Sequence, residues 1–306
     1  MNSIAVAGAG AARPRSAVAS GTRRRRRGWS ASLLLLAPSL ALMLVAFIGP
    51  LALFFQYSFY TFRDGTLYDE LSTAAYAKFL TDPFYWGIVW NSIQLAGLVT
   101  AIAVLVGYPL AYALSRLQHP GVRKWAVVII FSPLVVSVVV RSYGWMILLS
   151  DQGAVNWALL GLGVIAEPIR LIFNSTGVVI SLVHIFLPFV VFPIYSVMLR
   201  LDPSLKEASR DLGAGWWTTF RRVTLPLTLP GVAAAAQICF TLGLGAFVTP
   251  ALLGGGRVLV LPLNVYTNTV DINWPMAAVG GLVLLALALV VVAVSNRLIQ
   301  RWAWEQ

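Results

Sequence analysis

EASRDLGAGWWTTFRRVTLP, residues 207–226, is the longest polar interval between two long apolar runs in the chain. Its spacing predicts two short amphipathic helices with a turn between them. Leu201, Leu205, Ala208 and Leu212 recur at three- and four-residue intervals and share one face, while Lys206, Glu207, Arg210 and Asp211 take the other. Asp202-Pro203 suits a helix start, and Ser204 with Glu207 three residues on fits a capping box. Gly213 suits a left-handed cap at the helix end. Trp216, Phe220 and Val223 form a second apolar stripe, and Pro226 and Pro230-Gly231 are expected to end the unit before the next apolar run.

The rest of the chain is built for lipid. Of 306 residues, 59% are hydrophobic and 11% charged, against about 25% charged in a soluble domain. Several apolar runs reach the roughly 20 residues that cross a bilayer as a helix. The expected fold is all-α and polytopic, with six transmembrane helices at about 31–57, 89–114, 125–149, 176–199, 231–252 and 276–296. Residues 154–166 are apolar but too short to span, and Gly161 and Gly163 weaken a helix there, so an interfacial or re-entrant helix is expected. Three parts follow: a disordered basic tail over 1–30, a transmembrane domain over 31–299 with the loop 200–230 inside it, and a short tail over 300–306. The run from Ala31 to Phe55 is too long for the core of a signal peptide and lacks a clear cleavage site, so it is read as an anchor.

Charge sets the orientation. With the N-terminus inside, 17 of the 22 basic residues are cytoplasmic: Arg13, Arg15, Arg23–Arg27, Arg116, Arg123, Lys124, Arg200, Lys206, Arg210, Arg221, Arg222, Arg297 and Arg301. Only four of the 11 acids, Asp202, Glu207, Asp211 and Glu305, lie on that side. The net charge of +11 is therefore a topology signal rather than a nucleic-acid footprint, and it places the loop 200–230, both termini and the Arg23–Arg27 run in the cytoplasm.

Chemistry-bearing groups are sparse. No G-x-x-x-x-G-K-[ST] loop occurs, so any ATP-driven role needs a separate ATPase. The lone Cys239 excludes an internal disulfide and a cysteine metal cage and reads as a packed thiol. His119 and His184 are the only histidines; no metal cluster or hydrolase motif accompanies them, and enzyme readings lack a nucleophile–base pair. Two readings of His184 stand: part of a solute path, or a neutral ring bonded to a neighbouring helix. Arg141, in VVVRSYGW of the third span, should face a polar path or a carboxylate such as Asp151, unless it snorkels outward. The outer face gathers Tyr143, Trp145, Asp151, Trp157, Glu167, Asp271 and Trp274, a set that suits an organic cation but also matches an ordinary interfacial belt. Gly107-Tyr108-Pro109, Pro188, Pro193, Gly243 and Gly245 mark either kinks or close helix packing.

Glu207-Ala208, Gly213, Val223 and Leu225-Pro226 resemble the EAA signature of permease subunits of binding-protein-dependent ABC importers: E-A-A, three residues, G, nine residues, I, one residue, L-P. Ser209 and Val223 depart mildly from it, and the spacing is intact. Gly107–Ala111, Arg141–Trp145, Asp202-Pro203, Phe247–Gly255 and Asn273–Pro275 look like the spermidine/putrescine-type permeases, though iron, phosphonate and sulfate permeases share parts of the pattern. The resemblance implies a permease domain in a bacterial inner membrane, paired with a second permease subunit as a hetero- or homodimer. It implies two cytoplasmic ATPase subunits that hold the ATP and Mg, a periplasmic binding protein delivering a polyamine, and no cofactor in this chain. It assigns Glu207, Ala208, Gly213, Leu225 and Pro226 to coupling with the ATPase, the two helices being anchored by Leu205, Leu212 and Trp216. The translocation path is assigned to Arg141, Tyr143, Trp145, Asp151, Phe247, Asp271 and Trp274. The rival class is a secondary transporter driven by an ion gradient, for which a convincing internal repeat is missing.

Overall fold

The structure, a computed structural model, describes residues 27–304, with side chains over residues 36–297. The basic tail expected over 1–30 falls outside the described residues up to Arg26, and Arg27 already opens the first helix. The chain divides into a segment ending at Leu53 and a compact unit from Phe54 onward. The helix α1, Arg27–Tyr57, is apolar from Leu33 to Phe55 apart from Ser39 and carries Pro38 and Pro50.

The compact unit begins with a small hairpin, β1 (Thr61–Arg63) and β2 (Thr66–Tyr68), the one departure from the all-α expectation among the described residues. Its two-residue turn, Asp64-Gly65, has positive φ at both positions, which is the conformation a tight hairpin of right-twisted strands demands. Helix α2 (Ala74–Thr81) follows, then α3 (Pro83–Arg116), a single helix that starts well before the expected residue 89 because Asp82 caps it and Pro83 pre-sets its first turn.

The third expected span, 125–149, is not one straight helix. Helix α4 (Pro120–Phe131) tightens into a 3-10 turn at Ser132–Val135, the chain extends through Val136 and Ser137, and α5 (Val138–Leu148) leaves at 103° to the first half. Pro133 has no N–H for the Ile129 carbonyl, which the Ser132 hydroxyl takes instead, and it lies at the switch from α to 3-10; the bend itself falls at the extended Val136 and Ser137. Among the described residues five helices are long and apolar enough to cross a membrane, or six if the bent pair is one broken span. Helix α6 (Ala154–Gly161) is short, as its length and glycines predict.

Helix α7 (Ser175–Arg200) runs unbroken through Pro188 and Pro193. Then come α8 (Pro203–Asp211), α9 (Trp216–Thr219), a π turn over Phe220–Thr224 and α10 (Leu225–Leu244), the last three continuous along one path. The expected fifth span, 231–252, is thus shifted. It begins at Trp216 and stops at Leu244, and the residues after it form a separate short helix, α11 (Val248–Leu253). Helix α12 (Leu261–Val270) and α13 (Trp274–Trp304) complete the described residues, and the expected tail from 300 is helical up to Trp304.

Helices α3, α7 and α10 make the main core, from Leu95, Val99 and Ala103, through Val178, Leu182, Ile185, Val190 and Ile194, to Ala235 and the buried thiol of Cys239. Small residues let these helices touch. A Cβ on Gly107 would lie 2.7 Å from Val190 Cγ1, and one on Gly243 would lie 3.1 Å from both Cα and Cβ of Ala96. Close packing is therefore the reading the structure supports at these two glycines. Gly243→Val should push α10 off α3 and cost about 1–3 kcal/mol, seen as a lower Tm of the purified chain in detergent. A second core, Phe79, Tyr85, Ile88, Val89, Leu261, Met276 and Val279, binds α2 to the starts of α3, α12 and α13. Ser92 ties it to α12 by accepting from the Leu261 N–H at 2.7 Å.

Candidate coupling site

The polar interval folds into a stiff two-helix unit. Asp202 caps α8, its carboxylate accepting from the Ser204 N–H at 2.9 Å, and Pro203 occupies the first helical position, where a donor is not needed. The expected Ser204–Glu207 capping box does not form, because Pro203 starts the helix one residue earlier and leaves Ser204 inside it. The Ser204 N–H holds the Asp202 carboxyl below the usual carboxylate range. The sign follows: a depressed folded pKa favours the capped helix above the unfolded value, and the cap is lost only as pH falls through the lowered one.

The end of α8 matches the sequence reading. Gly213 has φ +81°, its N–H donates to the Arg210 carbonyl at 2.8 Å, and the Ala214 N–H donates to the Ser209 carbonyl at 3.1 Å. These two bonds define a Schellman turn, which needs the left-handed residue in that place. The Ser209 and Thr219 hydroxyls meet across the turn at 3.0 Å.

The second half does not end at Pro226. The Leu225 N–H reaches five residues back to the Phe220 carbonyl, so Pro226 enters at a shifted register in the first turn of α10. Pro230 sits inside α10 as well, and the Thr228 hydroxyl lies 2.9 and 3.0 Å from the Thr224 and Leu225 carbonyls, binding the backbone around both prolines.

An aromatic cluster keys this unit onto α3. Phe220 stacks on Trp216 and Trp217, with ring centroids 5.9 and 5.6 Å away, and meets Tyr108 and Tyr112 edge-on at 6.0 and 5.5 Å. Trp216 Nε1 donates to the Tyr112 hydroxyl at 3.2 Å, the Tyr108 and Thr228 hydroxyls share a bond of 2.9 Å, and the Arg116 guanidinium lies 4.7 Å above the Tyr112 ring. Tyr108 and Tyr112 were the residues the loop's own sequence could not reveal. Their signal is the 108, 112, 116 spacing, which puts three side chains on one face at the end of α3.

The expected anchoring by Leu205 and Leu212 is not found. They are 45% and 88% exposed, and Trp216 and Trp217 are also more than half exposed. The helices are held from the aromatic side, and the apolar face of α8 stays open. Glu207, Ala208 and Gly213 are exposed, while Leu225 and Pro226 are half-buried at the junction with α10.

The residues expected to line a path fall into three places. Arg141 and Trp145 lie one turn apart on α5, and Trp145 Nε1 donates to His184 Nδ1 on α7 at 3.2 Å, which makes His184 an accepting, neutral ring bonded to its neighbour. The expected Arg141–Asp151 pair is not formed: Nε and Nη1 of Arg141 are buried without a partner among the described residues, as is Ser181 Oγ on α7, and Asp151 is exposed in the turn after α5. Tyr143 projects from another side of α5 and is exposed. Phe247, in the break between α10 and α11, stacks on Tyr266 at 5.4 Å and borders an apolar cleft of about 200 Å³ with Val138, Leu182 and Phe186. Ser142 and Thr249, both fully buried, join α5 to α11 at 3.1 Å. Asp271 and Trp274 sit apart from these at the α12–α13 turn, where Trp274 packs on Tyr57 at 5.9 Å. Among the described residues no group of three or more His, Cys, Asp or Glu is placed to hold a metal.

Residues 107–304 match the family described as binding-protein-dependent transport system inner membrane component. The chain is 37% identical to the spermidine/putrescine transport system permease protein PotB of Haemophilus influenzae, over 72% of this chain and 79% of that one. It is 33% identical to the inner membrane ABC transporter permease protein YdcU of Escherichia coli, over 94% and 95% respectively. Its fold resembles a chain of a bacterial alginate ABC transporter solved with an alginate pentasaccharide-bound periplasmic protein, with a TM-score of 0.74, 20% identity and coverage of 90% and 95%.

Proposed function

The chain belongs to the family of binding-protein-dependent transport system inner membrane components, and on that premise we propose that it is one of two permease subunits of an importer carrying a polyamine such as spermidine or putrescine. The protein is a bacterial, multi-pass permease of the inner membrane. The polyamine assignment is supported by the relatives named for spermidine and putrescine. The reading has the N- and C-termini and the 200–230 loop in the cytoplasm, which the distribution of basic residues supports. Two ATPase subunits then dock there, and a periplasmic binding protein loads the opposite side.

The observation that carries this reading is the open apolar face of α8, ending in a Schellman turn that leads into a segment bonded to α3. A helix that leaves Leu205 and Leu212 exposed while the segment it packs on, α9 and the π turn, is fixed to α3 is arranged to receive a protein and pass its movement on. Glu207, Ala208 and Gly213 lie on that exposed element, and Leu225 and Pro226 form the joint behind it.

The test is purification of the tagged chain in mild detergent. A Walker-motif ATPase should copurify, and Leu205→Glu with Leu212→Glu should reduce its yield at least about tenfold, since two buried leucines at an interface are each worth more than 1 kcal/mol. Reconstituted with its partners, the complex should take up labelled spermidine only with ATP. A chain that carries solute alone, without ATP, overturns the reading, and so does full ATPase retention by the double variant.

A further inference from the structure

Among the described residues three buried side-chain polar atoms have no hydrogen-bond partner: Nε and Nη1 of Arg141, on α5, and Oγ of Ser181, on α7. They belong to the two helices that the Trp145–His184 bond joins. A guanidinium keeps its charge in a protein, so Arg141 cannot relieve its burial by giving up a proton. A charge taken out of water without a counter-charge is costly. The seat that α5 occupies in this structure is therefore one that Arg141 disfavours.

The backbone before Arg141 is built loosely enough to respond. Residues 134–140 are exposed throughout, Val136 and Ser137 are extended, and the Ser137 side chain makes no capping bond to the first turn of α5. An exposed, uncapped turn belongs to the low-stability end of a structure. The other end of α5 is fixed, since Leu149 is buried in the main core. Against the charge stands a latch beside it: the buried hydroxyls of Ser142 and Thr249 meet at 3.1 Å and tie α5 to α11. We propose that the first half of α5 has two positions. One is the seated position of this structure, held by Ser142 and Thr249. In the other it swings out from its Leu149 end, the latch opens and the Arg141 guanidinium is solvated. Arg141 is thus a positioning residue whose desolvation keeps the two positions close in free energy. The two positions are a property of this chain, and only their use in moving solute rests on the importer reading.

The experiment is double electron–electron resonance on the purified full chain in detergent, with no ATPase or solute present. Spin labels go on Val140→Cys, in the exposed first turn of α5, and on Leu199→Cys, exposed on α7, with Cys239→Ala removing the native thiol. The chain with Arg141 intact should give two label distances. Arg141→Met, which keeps much of the bulk without the charge, should cut the second population at least about tenfold and raise the Tm by about 2 °C or more. Arg141→Lys should retain the second population in part, because a positive charge remains. Ser142→Ala with Thr249→Val, which removes the latch, should enlarge it about fivefold. A side chain that merely packs predicts the opposite sign, so an Arg141→Met chain with a lower Tm, or one that fails to fold, overturns the proposal. So does a single distance shared by the wild-type and Arg141→Met backgrounds, or a second population that the latch variant leaves unchanged. These results stand apart from the importer reading, which copurification of the ATPase and uptake decide.

Discussion

Gly213→Asp is expected to lower ATP-driven uptake at least about tenfold while the chain still inserts and pairs with its partners. The Schellman turn after α8 requires φ +81° at this position, and a non-glycine residue there costs about 1–2 kcal/mol. Asp is among the side chains that tolerate the left-handed region best, and a Cβ at Gly213 meets nothing within 4 Å, so the unit should fold. What changes is the turn's stiffness and the charge beside the exposed Leu212. Gly213→Asn separates the two, since it brings the same backbone demand without the charge. Uptake restored in Asn assigns the loss to an anion at the docking face, whereas an equal loss assigns it to the turn. Normal uptake by Gly213→Asp, measured in vesicles with matched protein levels, refutes the coupling role of this turn.

The second large effect is expected from Phe220→Ala. This half-buried ring is the centre of the cluster formed by Trp216, Trp217, Tyr108 and Tyr112. Removing a fully buried Phe costs about 3–5 kcal/mol, and a half-buried one about 2 kcal/mol. The loss falls on the connection between the loop and α3 rather than on the docking face. ATP hydrolysis should therefore continue while solute moved per ATP drops several-fold, and Phe220→Leu should recover part of it. Tyr112→Phe, which removes only the acceptor of the Trp216 N–H, should cost about 0.5–1.5 kcal/mol and show a milder version of the same phenotype. Uptake and hydrolysis falling together in Phe220→Ala would instead place the cluster at the ATPase contact.

Much of the coupling unit was legible because its signals are local. Gly213 could be assigned a left-handed cap from its place after an amphipathic run, and Asp202-Pro203 marked the start of α8. The apolar runs located four of the membrane helices by length, while the third proved bent and the fifth shifted toward Trp216. What escaped depended on backbone bonding that residue type does not encode. The π turn at Phe220–Thr224 carries the helix past Pro226 and Pro230, which as breakers were expected to end it. The run holding Pro133 reads as continuous, yet the third span bends by 103° just after it, at Val136 and Ser137. Asp64-Gly65 carries a hairpin signal only two residues long, between strands of three residues that are short beside the apolar runs. The role given to Leu205 and Leu212 failed for another reason: periodicity reports that a face is apolar, and it is silent on whether this chain or another covers it.

The continuity of α3 has a mechanical consequence. With 34 residues at about 1.5 Å each, it is a rod about 51 Å long. One end is gripped by the aromatic cluster through Tyr108 and Tyr112, and the other carries Tyr85, stacked on Phe79, and Ser92, bonded to the Leu261 N–H. A tilt of about 5° about the gripped end, with about 36 Å of helix from Gly107 back to Pro83, sweeps the far end through roughly 3 Å. Amplification of that kind needs no unfolding and no broken hydrogen bond within the rod, only a fulcrum, and the Gly107–Val190 contact near the gripped end is placed to be one.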